Sequence, residues 1–328
     1  MSSRELTFAE AIREGIYQEL KRDDRVFVMG EDVGFEDGAF RVTSGFLKEF
    51  GHERIRDTPI SENGFVGAGV AAAILGMRPV VELMFADFTG VAMDQIYNQA
   101  GKLRYMSGGQ VKVPLVIRMA MGGGLSAAAQ HSQCLYSIFA HVPGLKIVVP
   151  SNSYDAKGLI ISSIRADDPV MFFEHKALYD KKLGMVPDES YEIPLGKADV
   201  KRNGNDVTVV ATAMMVHRAL EAAEQLQKEG VSVEVIDPRT LVPLDRTAIF
   251  SSVKKTGRIV IVDEDYERCG FAAEVSALIA EHGFDLLDAP IIRVATRNVP
   301  IPFNPALEDA VIPNSERIKN AINEVMMA

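Results

Sequence analysis

A chain of 328 residues, 47% hydrophobic and 24% charged, has the make-up of an ordinary globular protein and the length for about two domains. Its formal net charge of −10 argues against nucleic acid as a partner, and no stretch reaches the roughly 18 apolar residues of a membrane-spanning helix. Cys134 and Cys269 stand far apart in no metal-ligand spacing, and read as packed thiols of a reducing, cytoplasmic setting.

Thr7-Phe-Ala-Glu10 is a capping box, and Phe8, Ile12, Ile16 and Leu20 follow at helical spacing. The spacing predicts a helix near 7–21, with no room before it for a signal or transit peptide. A strand over 26–29 runs into the polar turn Gly30-Glu-Asp-Val-Gly34 and a loop to residue 45. The acids of that loop, Glu31, Asp32, Glu36 and Asp37, are read as solvated rather than as metal ligands. A short strand ending at Asp57 is stopped by Pro59. Ser61 then caps a helix in TPISENGFVGAGVAAA at 58–73, almost all small or apolar and so expected to lie buried on a sheet.

Further on, strands over 79–85, 113–118, 145–149 and 170–174 alternate with a helix over 87–105 and a helix capped by Ser153. That rhythm predicts a mostly parallel sheet with helices on both faces. The stretch 176–206, with Gly184, Pro187, Pro194, Gly196, Gly204 and many charges, reads as an exposed linker. A second α/β series follows, with strands over 207–212, 231–236, 259–262 and 291–294 and helices over 214–228, 245–255 and 271–282. NVPIPFNP at 298–305 is too proline-rich for either regular element, and a closing helix covers 315–326.

Phosphate-binding signatures are missing. There is no G-x-x-x-x-G-K-[ST], and Gly64, Gly67 and Gly69 do not make the dinucleotide pattern but suit close helix packing. Two side chains invite a chemical reading. Glu62, in the first turn of an apolar helix, is either a capping acid that complements the helix dipole or a functional acid at a strand-to-helix junction. His131 follows the triple glycine at 122–124 and a run of small residues; it is either a proton-transfer group or a hydrogen-bonded structural histidine. Phe85 and Phe88 beside Asp87 either wall a pocket or belong to the core.

Taken together these stretches resemble the β subunit of the thiamine-diphosphate-dependent first component of 2-oxo acid dehydrogenase complexes. GEDVG at 30–34, DTPISENGFVGAGVAAA at 57–73, ELMFADF at 82–88, DQIYNQAGKLRYMSGG at 94–109 and AAQHSQ at 128–133 carry the likeness. VVPSNSYDAKGLI at 148–160, DPVMFFEHKALY at 168–179 and PIPFNPALED at 300–309 extend it nearly to the end. The resemblance implies an α/β fold: a transketolase-type pyrimidine-binding, parallel-sheet domain over 1–185, a linker over 186–205, and a smaller transketolase C-terminal-like domain over 206–328.

The same resemblance implies that Glu62 hydrogen-bonds a ring nitrogen of thiamine's aminopyrimidine, favouring the imino tautomer that generates the carbon nucleophile. It places Phe88 against that ring and Ile60 on the adjoining wall. It puts His131 near the reacting carbon, to stabilise the adduct or assist transfer to lipoyl. In some relatives a potassium ion is held at positions matching Leu115, Ser163, Ile164, Ala166 and Asp168, although Ala166 departs from the expected aspartate. The Gly-Asp-Gly with which the family's Mg²⁺-diphosphate motif begins occurs nowhere in this chain. A separate α subunit is therefore expected to hold the diphosphate and Mg²⁺, in an α2β2 heterotetramer docked on a lipoyl dihydrolipoamide acyltransferase core. ELMFADF, 191–208 and 281–293 look most like acetoin dehydrogenase β subunits, with pyruvate-type subunits next; Met84 stands where branched-chain relatives usually carry glutamine. The rivals are a self-sufficient transketolase-type enzyme, which would need its own diphosphate-binding domain, and a non-catalytic scaffold bridging the α subunit to the core.

Overall fold

The chain's first described strand, β1 (Ser3–Thr7), leads straight into helix α1 (Phe8–Arg22). The junction is the expected capping box: Glu10 N donates to Thr7 Oγ1 at 3.2 Å and Thr7 N to Glu10 Oε2 at 2.8 Å. Phe8, Ile12, Ile16 and Leu20 make its buried stripe. This computed structural model describes residues 3–328, which divide into two units. One runs to Met121 and takes in Ile138–Leu195; the other comprises Gly122–Ser137 and Gly196–Ala328.

The first unit is built on β2 (Val26–Gly30), β3 (Ile55–Asp57), β4 (Arg78–Phe85), β5 (Val116–Met121), β6 (Lys146–Val148) and β7 (Val170–His175). They lie in the order β6-β7-β5-β4-β2-β3 and pair in parallel. Strands β2, β5 and β7 are buried along their whole length, as in a parallel sheet covered on both faces. The helices between the strands are α2 (Phe46–Phe50), α3 (Glu62–Ile74), α4 (Leu103–Met106), α5 (Tyr136–Ala140) and α6 (Ser153–Arg165).

Five local expectations are revised. The TPISENGFVGAGVAAA helix buries only one face: Phe65, Val66, Gly69, Val70 and Ala73 pack inward while Ala68, Ala71 and Ile74 stay exposed. Gly69 allows that packing, since a Cβ there would lie 2.7 Å from Val81 Cγ2. Ser61 occupies the N-cap position but its hydroxyl makes no capping bond, and the α6 cap is Asn152, accepting from Asp155 N at 2.7 Å, rather than Ser153.

The expected helix over 87–105 is broken into a 3₁₀ turn (Ala86–Gly90), a π-helical turn (Gln95–Ala100) and α4. Gly101 is pressed against residue 144, whose added Cβ would lie 1.9 Å from its carbonyl oxygen, and Gly101 N bonds Ile96 O at 3.0 Å, five residues back. Within 176–206 the structure adds β8 (Lys182–Pro187), antiparallel to β1, and β9 (Asp199–Arg202). Val186 is buried with Leu6 and Ala11 despite the surrounding charges.

The second unit adds β10 (Val207–Ala211), β11 (Val233–Asp237), β12 (Thr240–Val242), β13 (Ile259–Tyr266) and β14 (Ile292–Thr296). Its sheet runs β14-β13-β10-β11-β9, parallel except where β9 meets β11. Helices α7 (Met214–Gln227), α8 (Arg246–Thr256), α9 (Phe271–His282), α10 (Pro305–Val311) and α11 (Ser315–Met327) complete it. Val209, Val235 and Val262 meet Ala219, Leu226, Ile318 and Ile322 in the core. Helix α10 begins on the last proline of NVPIPFNP, where a missing N–H costs nothing, capped by Asn304. Among the described residues no helix is long and apolar enough to cross a membrane.

Candidate active site

Three adjacent strands of the first unit end together, because Gly30 of β2 pairs with Asp57 of β3 on one side and Glu82 of β4 on the other. From that carboxyl edge leave the GEDVG turn, the segment to Glu62, and the turn carrying Phe88. Such an edge is where open α/β sheets bind ligands. Asp57 ties two of these segments together: Gly34 N and Phe35 N donate to its oxygens at 2.6 and 3.1 Å, and Thr58 N donates to Gly30 O at 2.9 Å.

Glu62 opens α3 and is 8% exposed. Beside it, burial and then the charges of Glu62 and Asp32 push the Glu31 carboxyl above the ordinary carboxylate range. Glu31 Oε1 and Thr58 Oγ1 are buried without a hydrogen-bond partner. Buried polar oxygens of this kind call for a donor. A heterocycle bearing N–H groups is such a donor, so these residues fit the aminopyrimidine that the resemblance implies. Phe88 is half-buried and meets Phe85 edge-on at 5.6 Å; Phe85 meets Phe40 edge-on at 5.8 Å, and Phe40 stacks on Tyr179 at 4.6 Å. This row of rings provides an aromatic wall. Ile60 is 85% exposed on this chain.

Sequence reasoning missed the charges beneath this edge. Arg118 of β5 grips Glu174 of β7 in a fork, Nε to Oε1 at 2.7 Å and Nη2 to Oε2 at 2.6 Å, and its Nη1 meets Glu82 of β4. Tyr179 donates to Glu174 Oε2 at 2.8 Å. Burial raises the Glu82 carboxyl even though Arg118 draws it down. Alternating apolar strand sequences gave no cue that one arginine would be buried between two glutamates.

His131 lies in the second unit, on the irregular segment that precedes α5, and is half-buried. The segment is fixed by acids remote in sequence. Gly123 N donates to Glu264 Oε1 at 2.7 Å, Gly124 N to Glu308 Oε1 at 2.8 Å and Ser126 N to Glu308 Oε2 at 3.0 Å. Further along, Tyr136 donates to Asp263 and Ser137 to Asp265. Burial, with the Asp263 charge next, pushes the Asp265 carboxyl up to about 7. Ala129 and Gln133, two residues either side of His131, line a cleft of about 540 Å³ together with Tyr266, Arg268 and Asn298. Cys134 is buried as expected, whereas Cys269 is exposed.

The positions matched to a potassium site are already engaged. Val170 N donates to Leu115 O at 2.8 Å, Ala166 N approaches Ser163 O at 3.3 Å, and Arg78 Nη1 donates to Ile164 O at 2.9 Å and Ala166 O at 3.0 Å. Asp168 pairs with Lys146 at 3.0 Å and with Arg104. Arg78 thus already occupies two of the matched carbonyls, and two cationic side chains occupy the Asp168 carboxylate.

The chain matches the family model of the transketolase pyrimidine-binding domain over residues 4–182 and that of the transketolase C-terminal domain over residues 196–318. It is 49% identical to the acetoin:2,6-dichlorophenolindophenol oxidoreductase subunit beta of Bacillus subtilis (strain 168), over 99% of this chain and 98% of that one. Identity is 46% to the 2-oxoisovalerate dehydrogenase subunit beta of the same organism, over 98% of both chains. It is 42% to the pyruvate dehydrogenase E1 component subunit beta of Rhizobium meliloti (strain 1021), over 98% of this chain and 70% of that one. A solved split gene transketolase, an inactive β4 tetramer, has the same fold, with a TM-score of 0.81 over 99% of both chains at 23% identity. The chain belongs to the β-subunit family of the thiamine-diphosphate-dependent first components of acetoin and 2-oxo acid dehydrogenases.

Proposed function

We propose that this chain is the catalytic β subunit of a first component that cleaves acetoin, or decarboxylates pyruvate, and passes the acyl group to a lipoyl group of a dihydrolipoamide acyltransferase core. The observation that carries the reading is Glu62, a carboxylate 8% exposed at the carboxyl edge of a parallel sheet, beside partnerless Glu31 and Thr58 oxygens. Thiamine diphosphate, when bound, supplies the carbon nucleophile and the electron sink. Glu62 would hold a ring nitrogen at its carboxylate and Phe88 would lie against the ring face, while the apolar side of α3 keeps water away. His131 would exchange a proton at the acyl oxygen during transfer, a role worth roughly 10²–10⁴-fold in rate.

The two parts of the chain are assigned as a pyrimidine-binding domain over 1–185 and a C-terminal domain over 206–328, joined by 186–205. With no Gly-Asp-Gly in the sequence, Mg²⁺ and the diphosphate are assigned to a separate α subunit in an α2β2 assembly. The apolar outer face of α3, with Leu75 at its end 84% exposed, and Tyr105, 89% exposed, are surfaces that suit such a partner. Potassium is left out of the reaction. Two cysteines outside any disulfide suit a cytoplasmic setting.

Reconstitution with the cognate α subunit, thiamine diphosphate and Mg²⁺ in a dye-reduction assay tests the reading, with acetoin, pyruvate and a branched-chain 2-oxo acid compared. Activity only in the mixture, with acetoin preferred, is expected. Preference for the branched-chain acid would move the assignment to the second relative's substrate. Full assembly with no activity toward any of them would favour the scaffold.

A further inference from the structure

We infer that Glu308, assisted by Glu264, is a positioning residue for His131, setting where its imidazole leaves the loop. The inference rests on the role proposed above for His131 in acyl transfer.

The segment that carries His131 has no regular hydrogen-bonding ladder before α5, yet its backbone is unusual. Ser126 at φ 53° and Ala128 at φ 62° occupy the left-handed region, which residues with a Cβ seldom adopt unless their surroundings impose it. The surroundings here are two carboxylates from the far end of the chain. Glu308 is 3% exposed and Glu264 7% exposed; between them they accept three of the four amides of the turn, those of Gly123, Gly124 and Ser126, leaving out Leu125. An ionised carboxylate is an acceptor on both oxygens, so Glu308 can satisfy two N–H groups at once. A glutamine could accept only one, and would point an NH₂ at the other.

The seat is tight. A Cβ on Gly123 would lie 2.2 Å from Ile312 Cδ1, so the turn is wedged against the end of α10 as well as bonded to it. His131 is connected to this seat through the bond from its own N–H to Ala128 O at 3.4 Å. The sequence holds the same association at a distance: the triple glycine and Glu308 of PIPFNPALED are 184 residues apart and meet only in the fold.

The test uses the reconstituted complex and the variants Glu308→Gln, His131→Ala and the double substitution, with Glu264→Gln as a second probe should Glu308→Gln fail to fold. Two readouts are taken: amide hydrogen exchange over 123–131, and single-turnover acyl transfer to a free lipoyl domain. Glu308→Gln is expected to raise exchange over 123–131 while the β10–β14 sheet stays protected. Acyl transfer should fall roughly tenfold, as expected when a reacting group is misplaced, with substrate KM little changed. In the His131→Ala background the same substitution should cost less than about twofold, because residues that act through one another are not additive. Unchanged exchange, or an equal loss in both backgrounds, overturns the positioning role while leaving His131 catalytic. Intact acyl transfer in His131→Ala alone would instead remove the role of His131, and this inference with it.

Discussion

Asp57 accepts the Gly34 amide at 2.6 Å, which ties the turn after β2 to the strand that leads to Glu62. A Cβ on residue 34 would sit 2.6 Å from Asp57 Oδ2, so Gly34→Ala displaces the carboxylate that accepts this amide. A loss of about 1–3 kcal/mol is expected, read as a lower denaturant midpoint at unchanged m-value. Affinity for thiamine diphosphate in the reconstituted enzyme should weaken with it. Wild-type stability and affinity would show that the turn is free to move.

Arg118 stands between two buried glutamates, and removing it leaves both without their cation. Arg118→Met should cost about 3–5 kcal/mol in chemical denaturation, the usual penalty for breaking a buried ion pair from one side. Glu82→Gln should be milder, because Arg118 keeps its two-bond fork with Glu174 and no charge is left without its partner. Equal losses from the two substitutions would contradict this.

The Asp265 carboxyl, pushed up to about 7 by burial and by Asp263, makes the second unit sensitive to pH. The folded form binds this proton more tightly than the unfolded chain, where an aspartate titrates near about 3.9. The contribution is fully present below the unfolded value and is lost as pH rises through about 7. Thermal stability is therefore expected to decline between about pH 4 and pH 7, and Asp265→Asn should flatten that decline. A slope unaltered by the substitution would place the titration elsewhere.

The alternation of elements, and with it the two parallel sheets, was legible because buried parallel strands are short apolar runs separated by helical periodicity. Glu62 could be singled out as one acid in an otherwise apolar stretch, and the structure does bury it. Glu308 could not. Its neighbours in sequence are prolines and surface acids, and the amides it accepts lie far away along the chain, so no local pattern records the contact. The broken helix over 87–105 was hidden for a similar reason: its register yields to the close approach of Gly101 and Gly144. Strand β8 escaped notice because its hydrogen-bonding partner, β1, lies at the other end of the first unit.

The central claim is that Glu62 is the acid that engages the cofactor, and the most direct measurement is turnover of a reconstituted complex carrying Glu62→Gln, with assembly and melting temperature recorded on the same sample. The account predicts normal assembly with turnover reduced by roughly 10²–10⁴-fold. Retention of full turnover would contradict it, and would return Glu62 to the role of a helix-capping acid.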